Sequence, residues 1–329
     1  MHGKGKMKFL YKILLFNLLV LCSPLWSQTG KIAGYVYNGS QDSLIIPNID
    51  VNLLVYRGHN VVNDSSFTMK TNDRGKFTFT SLKIDSTLIY YPRAAFNSIV
   101  YYGRAARLTG ELNSVASDVV VYDTTSRADK IVFQLEHLFI DAEPGNLYFR
   151  EIFIANNMGN KTFIGSNFDQ HNEHYVLQFP LPKGFEDVEI LTPEARNWVR
   201  IEGQTLFHTE LMSPGSRQFS YRFIVPFKKK QWLLSRPILY PLGAVNIFVS
   251  NPELVLEGPG VMAMGNFAIR GTNYQRYAVQ HLMPGMELVL SVKNLPVKAF
   301  VLSAQWIVLL AVIVLLIIGF GYTLKKSKS

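Results

Sequence analysis

The sequence predicts an all-β protein: two tandem β-sandwich domains followed by one C-terminal transmembrane helix. Three observations carry that expectation. Short runs of β-branched and aromatic alternation recur roughly every ten residues between clusters of Gly, Pro, Asn and Asp. No window before residue 300 holds a capped apolar stripe of 3.6-residue period. Finally, the stretch from Trp306 to Leu324 contains no charge. The 329 residues leave room for one large domain or two ordinary ones.

The two ends come first, because they set the topology. Lys4, Lys6, Lys8 and Lys12 precede the apolar run from Ile13 to Cys22, which leads into Ser23-Pro24-Leu25-Trp26-Ser27. A basic start, a core near ten residues and small residues after a proline describe a secretory signal over residues 1–27, with cleavage expected after Ser27. Cys22 suggests a lipoprotein site, but Leu21 before it is bulkier than such sites take. At the other end, residues 306–324 at about 1.5 Å each reach roughly 28 Å, enough to span a bilayer. Trp306 and Tyr322 stand where interfacial aromatics belong, and Lys325, Lys326 and Lys328 mark a cytoplasmic tail over 325–329. The expected location is therefore the cell membrane, single-pass, with residues 28–305 outside the cytoplasm.

The same ends explain the charge. The chain has 33 Lys+Arg against 24 Asp+Glu, for a net +9. Taking away the seven lysines of the two ends leaves 26 against 24, so a nucleic-acid partner loses its main support. Cys22 is the one cysteine. A chain cut after Ser27 therefore has no disulfide, thiolate metal site, cysteine nucleophile or c-type haem, and must stand on packing alone.

Within the first domain, residues 28–128, strands are expected at 31–37, 49–56, 66–70, 76–80 and 87–91. Residues 93–128 read as a long irregular excursion before 118–125. Gly34-Tyr35-Val36, Pro47-Asn48-Ile49-Asp50-Val51 and Thr71-Asn72-Asp73-Arg74-Gly75-Lys76-Phe77-Thr78-Phe79 together resemble the carboxypeptidase regulatory-like, transthyretin-like family. The resemblance covers about residues 28–91, and Asn72 is an insertion relative to the plainest form of the hairpin. It implies a seven-stranded sandwich with Phe77 and Phe79 turned inward and a positive-φ turn at Gly75. It implies no peptidase activity, because the module is an appendage to diverse partners.

The second domain, residues 129–300, has expected strands at 130–140, 147–157, 175–179, 218–226, 245–249, 253–257, 266–270 and 286–292. Val121-Tyr122-Asp123-Thr124-Thr125, Phe179-Pro180-Leu181-Pro182-Lys183-Gly184 and the stretch from Pro214 to Tyr221 look like parts of poorly characterised bacterial membrane-anchored proteins, a likeness that implies architecture and no activity.

Candidate chemistry is thin. Asp169, His171, Glu173 and His174 form the densest set of possible metal ligands; a solvated loop between strands accounts for them more simply. His59, His137, His208 and His281 are scattered and read as satisfied turn or sheet residues. No nucleophile elbow or phosphate-binding glycine loop is present, and Glu186, Asp187 and Glu189 read as a strand edge. Lys228-Lys229-Lys230 reads as a solvated loop beside one buried aromatic, with an anionic surface as the alternative. Met262, Met264, Met283 and Met286 read as core filling and Pro-Gly turns. The expectation is a non-enzymatic binding or scaffolding protein without a cofactor. Its expected partners are the cytoplasmic membrane and a protein of an envelope assembly. Two alternatives remain: a metal-dependent envelope hydrolase at His171 and His174, and a protein binding glycan or peptidoglycan through exposed aromatics.

Overall fold

The computed structural model describes residues 29–63, 67–165, 167–168 and 174–297, together with 305–306, 308–309 and 312–318 of the C-terminal segment. Residues 1–27, Asp169, His171, Glu173, Tyr322, Lys325, Lys326 and Lys328 lie outside these. The chain divides into two compact units at Thr124–Thr125.

The first unit has ten strands among its described residues: β1 (Gly30–Asn38), β2 (Leu44–Ile45), β3 (Asp50–Arg57), β4 (Asn60–Asn63), β5 (Thr68–Lys70), β6 (Lys76–Leu82), β7 (Leu88–Phe96), β8 (Ile99–Tyr102), β9 (Ser114–Ala116) and β10 (Val119–Val121). They form two five-stranded sheets. β1 alternates strictly between buried and open positions and serves as the hub of the first sheet. Its first half pairs with β6 and, in parallel, with β9, and its second half pairs with β2 and, in parallel, with β10. β3, β4, β5, β7 and β8 make the other sheet.

Phe77 and Phe79 are buried in the core with Ile32, Val36, Leu53 and Tyr90. Asn72 does not spoil the hairpin. Its Oδ1 accepts from the backbone N–H groups of Arg74 and Lys76, each at 3.0 Å, and Gly75 takes a φ of +64°. The stretch 93–128, expected to be an excursion, returns to the sheets as the end of β7 and as β8, β9 and β10. These last strands are too short to show a period. They are held instead by distant partners: Asp118 Oδ1 accepts from the Tyr35 N–H at 2.8 Å, and the buried Ser117 donates to the Arg104 carbonyl at 2.7 Å.

β11 (Thr124–Thr125) lies at the division. The second unit then contains β12 (Ile131–Glu143), β13 (Asn146–Asn157), β14 (Thr162–Phe163), β15 (Asn167–Phe168), β16 (His174–Tyr175), β17 (Leu177–Pro180), β18 (Glu186–Ile190), β19 (Val199–Glu202), β20 (Thr205–His208), β21 (Gly215–Pro226), β22 (Gln231–Pro237), β23 (Leu242–Val249), β24 (Val255–Glu257), β25 (Met262–Ile269), β26 (Thr272–Leu282) and β27 (Glu287–Lys293). A seven-stranded sheet runs in the order β18-β21-β13-β12-β23-β26-β25, accompanied by three-stranded sheets β17-β20-β19 and β22-β27-β24. Pro193–Trp198 is a 3-10 turn, started by its proline.

Aromatic packing dominates this core. Phe133, Phe153, Phe179, Phe219, Tyr221 and Tyr240 are all buried. Their contacting ring centroids are 4.8–6.0 Å apart, the range in which aromatic pairs attract beyond simple area burial. The methionines do not contribute: Met262, Met264, Met283 and Met286 are between 45% and 50% exposed. Met262 and Met264 stand on β25, which is open along nearly its whole length, whereas Met283 and Met286 flank the Pro284-Gly285 turn as expected, the Met286 N–H donating to the Met283 carbonyl at 3.0 Å.

In the C-terminal segment, residues 305–306, 308–309 and 312–318 are helical and Trp306 is 59% exposed. Among the described residues no helix is long and apolar enough to cross a membrane. The expected span, 306–324, extends beyond them.

Candidate functional site: the outer face of the large sheet

One irregularity in β12 organises both faces of the seven-stranded sheet. Ile131 and Phe133 point into the core, and continued alternation would bring Leu135, His137 and Phe139 after them. A register shift against β13 between Phe133 and Leu135 reverses this. Glu136, Leu138 and Ile140 become buried, while His137 and Phe139 move to the outer face. One extra residue exchanges the faces of everything that follows it.

On the inner face, the shift places Glu136 at 0% exposure beside Glu151 of β13 and Arg236 of β22. Arg236 Nη2 donates to both carboxylate oxygens of Glu136, each at 2.6 Å. Its Nη1 donates to Glu151 Oε1 and Oε2 at 3.0 and 2.9 Å. Tyr221 Oη of β21 donates to Glu151 Oε2 at 2.5 Å. Burial pushes the Glu151 carboxyl up to about 7, with Arg236 opposing and Glu136 reinforcing the shift. Burial acts against the Arg236 charge, but the two carboxylates outweigh it and hold the guanidinium protonated. Two acids and one base from three strands, with a tyrosine from a fourth, are thus joined within the sandwich. Replacing such a cluster as a whole by apolar residues is often neutral, whereas removing one member leaves a buried charge without a partner.

The same strands turn alternate residues outward. Arg150 of β13 and Arg222 of β21 stand directly opposite one another in the ladder. Glu189 of β18 holds Arg222, its Oε2 accepting from Nε at 2.7 Å and also contacting Nη2. Arg150 instead lays its guanidinium on the Phe139 ring, 4.0 Å from the centroid; among the described residues it has no ion pair. Phe139 stacks in turn on Phe248 at 4.9 Å and meets Tyr274 edge-on at 5.7 Å. Phe139, Tyr148, Arg150, Glu189, Arg222 and Tyr274, with the carboxylates of Asp141 and Asp187, line a groove of about 600 Å³, within the size range of ligand clefts. A guanidinium oriented by stacking presents a planar fork of donors suited to a carboxylate or a similar oxyanion. No histidine lines the groove among the described residues.

The first unit carries a second open surface. Tyr56, Tyr91 and Tyr102 line a groove of about 390 Å³ together with His59 and Ile89, and Tyr56 meets Tyr91 edge-on at 5.8 Å.

The residues singled out by sequence are placed elsewhere. Of the metal candidates, His174 is half-buried in β16, and its three companions lie outside the described residues. Among the described residues no group of three His, Cys, Asp or Glu is positioned to hold a metal. His137 and His208 are not satisfied as expected, since each keeps a buried Nδ1 without a hydrogen-bond partner. Burial, and then Arg217, lowers the His208 pKa to about 4, so the ring stays neutral. Lys228, Lys229 and Lys230 are exposed in a loop beside the buried Phe227. Glu186, Asp187 and Glu189 do lie on an edge strand. Arg150 and Phe139 were missed because their strands looked like ordinary alternation. The available signal was an Arg at an outward position of β13 opposite Arg222 on β21.

No protein-family model matches the chain, and no curated protein matches it. Among solved structures, a streptococcal ancillary pilin is similar at 10% identity and a TM-score of 0.23, over 64% of this chain and 53% of that one. This chain therefore spans about half of that pilin's length. The major pilin SpaD of Corynebacterium diphtheriae matches at 8% identity and a TM-score of 0.21, covering 79% of this chain and 84% of that one. A major pilin subunit of Bacillus cereus matches at 12% and 0.20, covering 82% and 85%. TM-scores this low support no argument about fold or role.

Proposed function

We propose that this chain is a non-enzymatic binding or scaffolding component of a bacterial-type cell envelope. It is held to the cytoplasmic membrane by residues 306–324, and it grips its partner in the groove on the outer face of the large sheet. The carrying observation is the opposed pair Arg150 and Arg222. Like charges directly opposite in a ladder cost stability, and only Arg222 has its counter-ion, Glu189. An anionic group on the partner supplies the second. The tether draws support from the helical parts of 305–318, whose apolar side chains, such as Leu315 and Ile317, are exposed, as suits a helix facing lipid on every side. The first unit reads as a transthyretin-like module, supported by its inward Phe77 and Phe79 and by the Gly75 turn.

The test is affinity capture of the intact protein from detergent with wild type, Arg150→Ala and Arg150→Lys. A partner retained by wild type and lost from both variants is expected, because lysine lacks the planar fork. Equal recovery from all three refutes the groove as the contact. Glycan binding is a second reading, favoured by the tyrosines lining the smaller groove. It requires retention on cell-wall material that falls in Tyr91→Ala and Tyr102→Ala. Protease added to spheroplasts checks the orientation: residues 28–305 should be degraded.

A further inference from the structure

The seven-stranded sheet has two edges, and the sequence treats them differently. β18, at one edge, carries Glu186, Asp187 and Glu189 within five residues, and Asp187 adopts a φ of +51° at a register shift. Charge and irregular backbone are the usual means of keeping an edge strand from pairing with another chain. β25, at the opposite edge, has neither charge nor proline in its eight residues, and its pattern is exposed at every position but the last. Met262, Met264 and Phe267 present apolar surface that is 45%, 49% and 48% exposed. β25 also reaches past the sheet. Thr272 to Tyr274 of β26 pair with β25, whereas β26 pairs with β23 only from Gln275 onward. Its one interruption is the shift between Ala263 and Asn266, where Gly265 takes a φ of +82°. This leaves Asn266–Ile269 as an unbroken stretch of open edge.

We propose that β25 is a dimerisation edge, at which two copies of this chain pair antiparallel about a two-fold axis crossing Asn266–Ile269. The partner is a second copy for three reasons. An antiparallel pair of identical edges is self-complementary, because each strand offers the other the same donors and acceptors. The strand is neutral, so bringing its twin alongside opposes no charges, whereas two β18 edges would set acid against acid. Phe267 lies opposite Tyr274 and is 48% exposed beside the open edge, so each copy covers the other's Phe267. The joined strands extend the hydrogen-bonded sheet from one copy into the next.

The axis position makes the inference sharp. Near a two-fold axis, equivalent residues of two antiparallel strands come within disulfide range, with Cα atoms roughly 4.4–6.8 Å apart. Five residues away, the two copies of a position are separated by roughly 30 Å or more. In the full chain carrying Cys22→Ser, single cysteines are introduced as Asn266→Cys, Phe267→Cys, Ala268→Cys and Met262→Cys. Oxidation in detergent should give a disulfide dimer at the one of residues 266, 267 and 268 that faces its own copy across the axis, little at its neighbours and none at 262. Light scattering of wild type should report a protein mass of two chains. Met264→Lys combined with Ala268→Lys should weaken self-association by about tenfold or more. A wild-type monomer at about 100 µM, or equal disulfide yield at all four positions, overturns the inference. Should the lysine variant fail to fold, the cysteine series decides alone, since each of its members changes one exposed side chain.

Discussion

Replacing Arg236 with methionine isolates the role of the buried cluster. The guanidinium is the one cation among two carboxylates, Glu136 at 0% and Glu151 at 2% exposure, and it supplies four of the hydrogen bonds that reach them. Removing one member of a buried ion pair costs about 3–5 kcal/mol, because the charge left behind has neither water nor a partner. Here two charges are left, which places the expected loss near 5 kcal/mol at pH 8. The pH dependence fixes the cause. Without the arginine, the folded state disfavours ionised carboxylates and their folded pKa values rise above the unfolded ones. Stability is then lost as pH rises, so the deficit should be largest at pH 8 and shrink toward pH 5. Urea unfolding followed by tryptophan fluorescence reads this unit, since Trp198 and Trp232 both belong to it. Adding Glu136→Gln and Glu151→Gln to Arg236→Met should recover most of the loss, because no unpaired charge remains. A loss below about 1 kcal/mol, or one that does not change between pH 8 and pH 5, would refute the reasoning.

Two further outcomes follow from the same geometry. The folded pKa of His208 lies at about 4 against an ordinary 6.5, so its contribution is intact above pH 6.5 and drains away as pH falls to 4, by up to about 3 kcal/mol. Glu151 acts in the opposite sense, since its raised pKa adds stability on acidification from about 7 toward 4.5. Wild type should therefore show a shallow profile between pH 7 and 4.5, Glu151→Gln a steeper acid loss, and His208→Leu a gain on acidification. Parallel profiles for all three would discard both assignments. In the first unit, Gly34→Ala would put a Cβ 2.2 Å from the Ser117 carbonyl oxygen, a backbone atom that cannot step aside. The expected cost is about 2–3 kcal/mol, seen as faster amide exchange in residues 29–124 with residues 125–297 unchanged.

Much of the fold was legible because a strand half-buried in a sandwich shows its period in the side chains. β1, β3, β6, β13 and β21 fall where the alternation puts them, and the Glu143-Pro144-Gly145-Asn146 turn joins β12 to β13 as read. The short strands β8 and β9 left no trace, since three or four residues carry no period, whereas β10 falls within the segment 118–125. The exposed methionines misled because composition cannot tell an open edge from a core. The candidate site was the least legible part. Arg150, Phe139 and Arg222 are unremarkable one at a time, and only their juxtaposition across three strands has a meaning.

By itself the sequence determined that this chain folds as successive β units, with a charged strand edge at Glu186, Asp187 and Glu189. Local alternation and turn chemistry are sufficient for that, because they act over a few residues. The tertiary structure alone decided which face each side chain of β12 takes. A single register shift after Phe133 sends Glu136 inward to Arg236 and Phe139 outward to Arg150. Its position depends on how β12 meets β13, a pairing energy that no run of residues within β12 records.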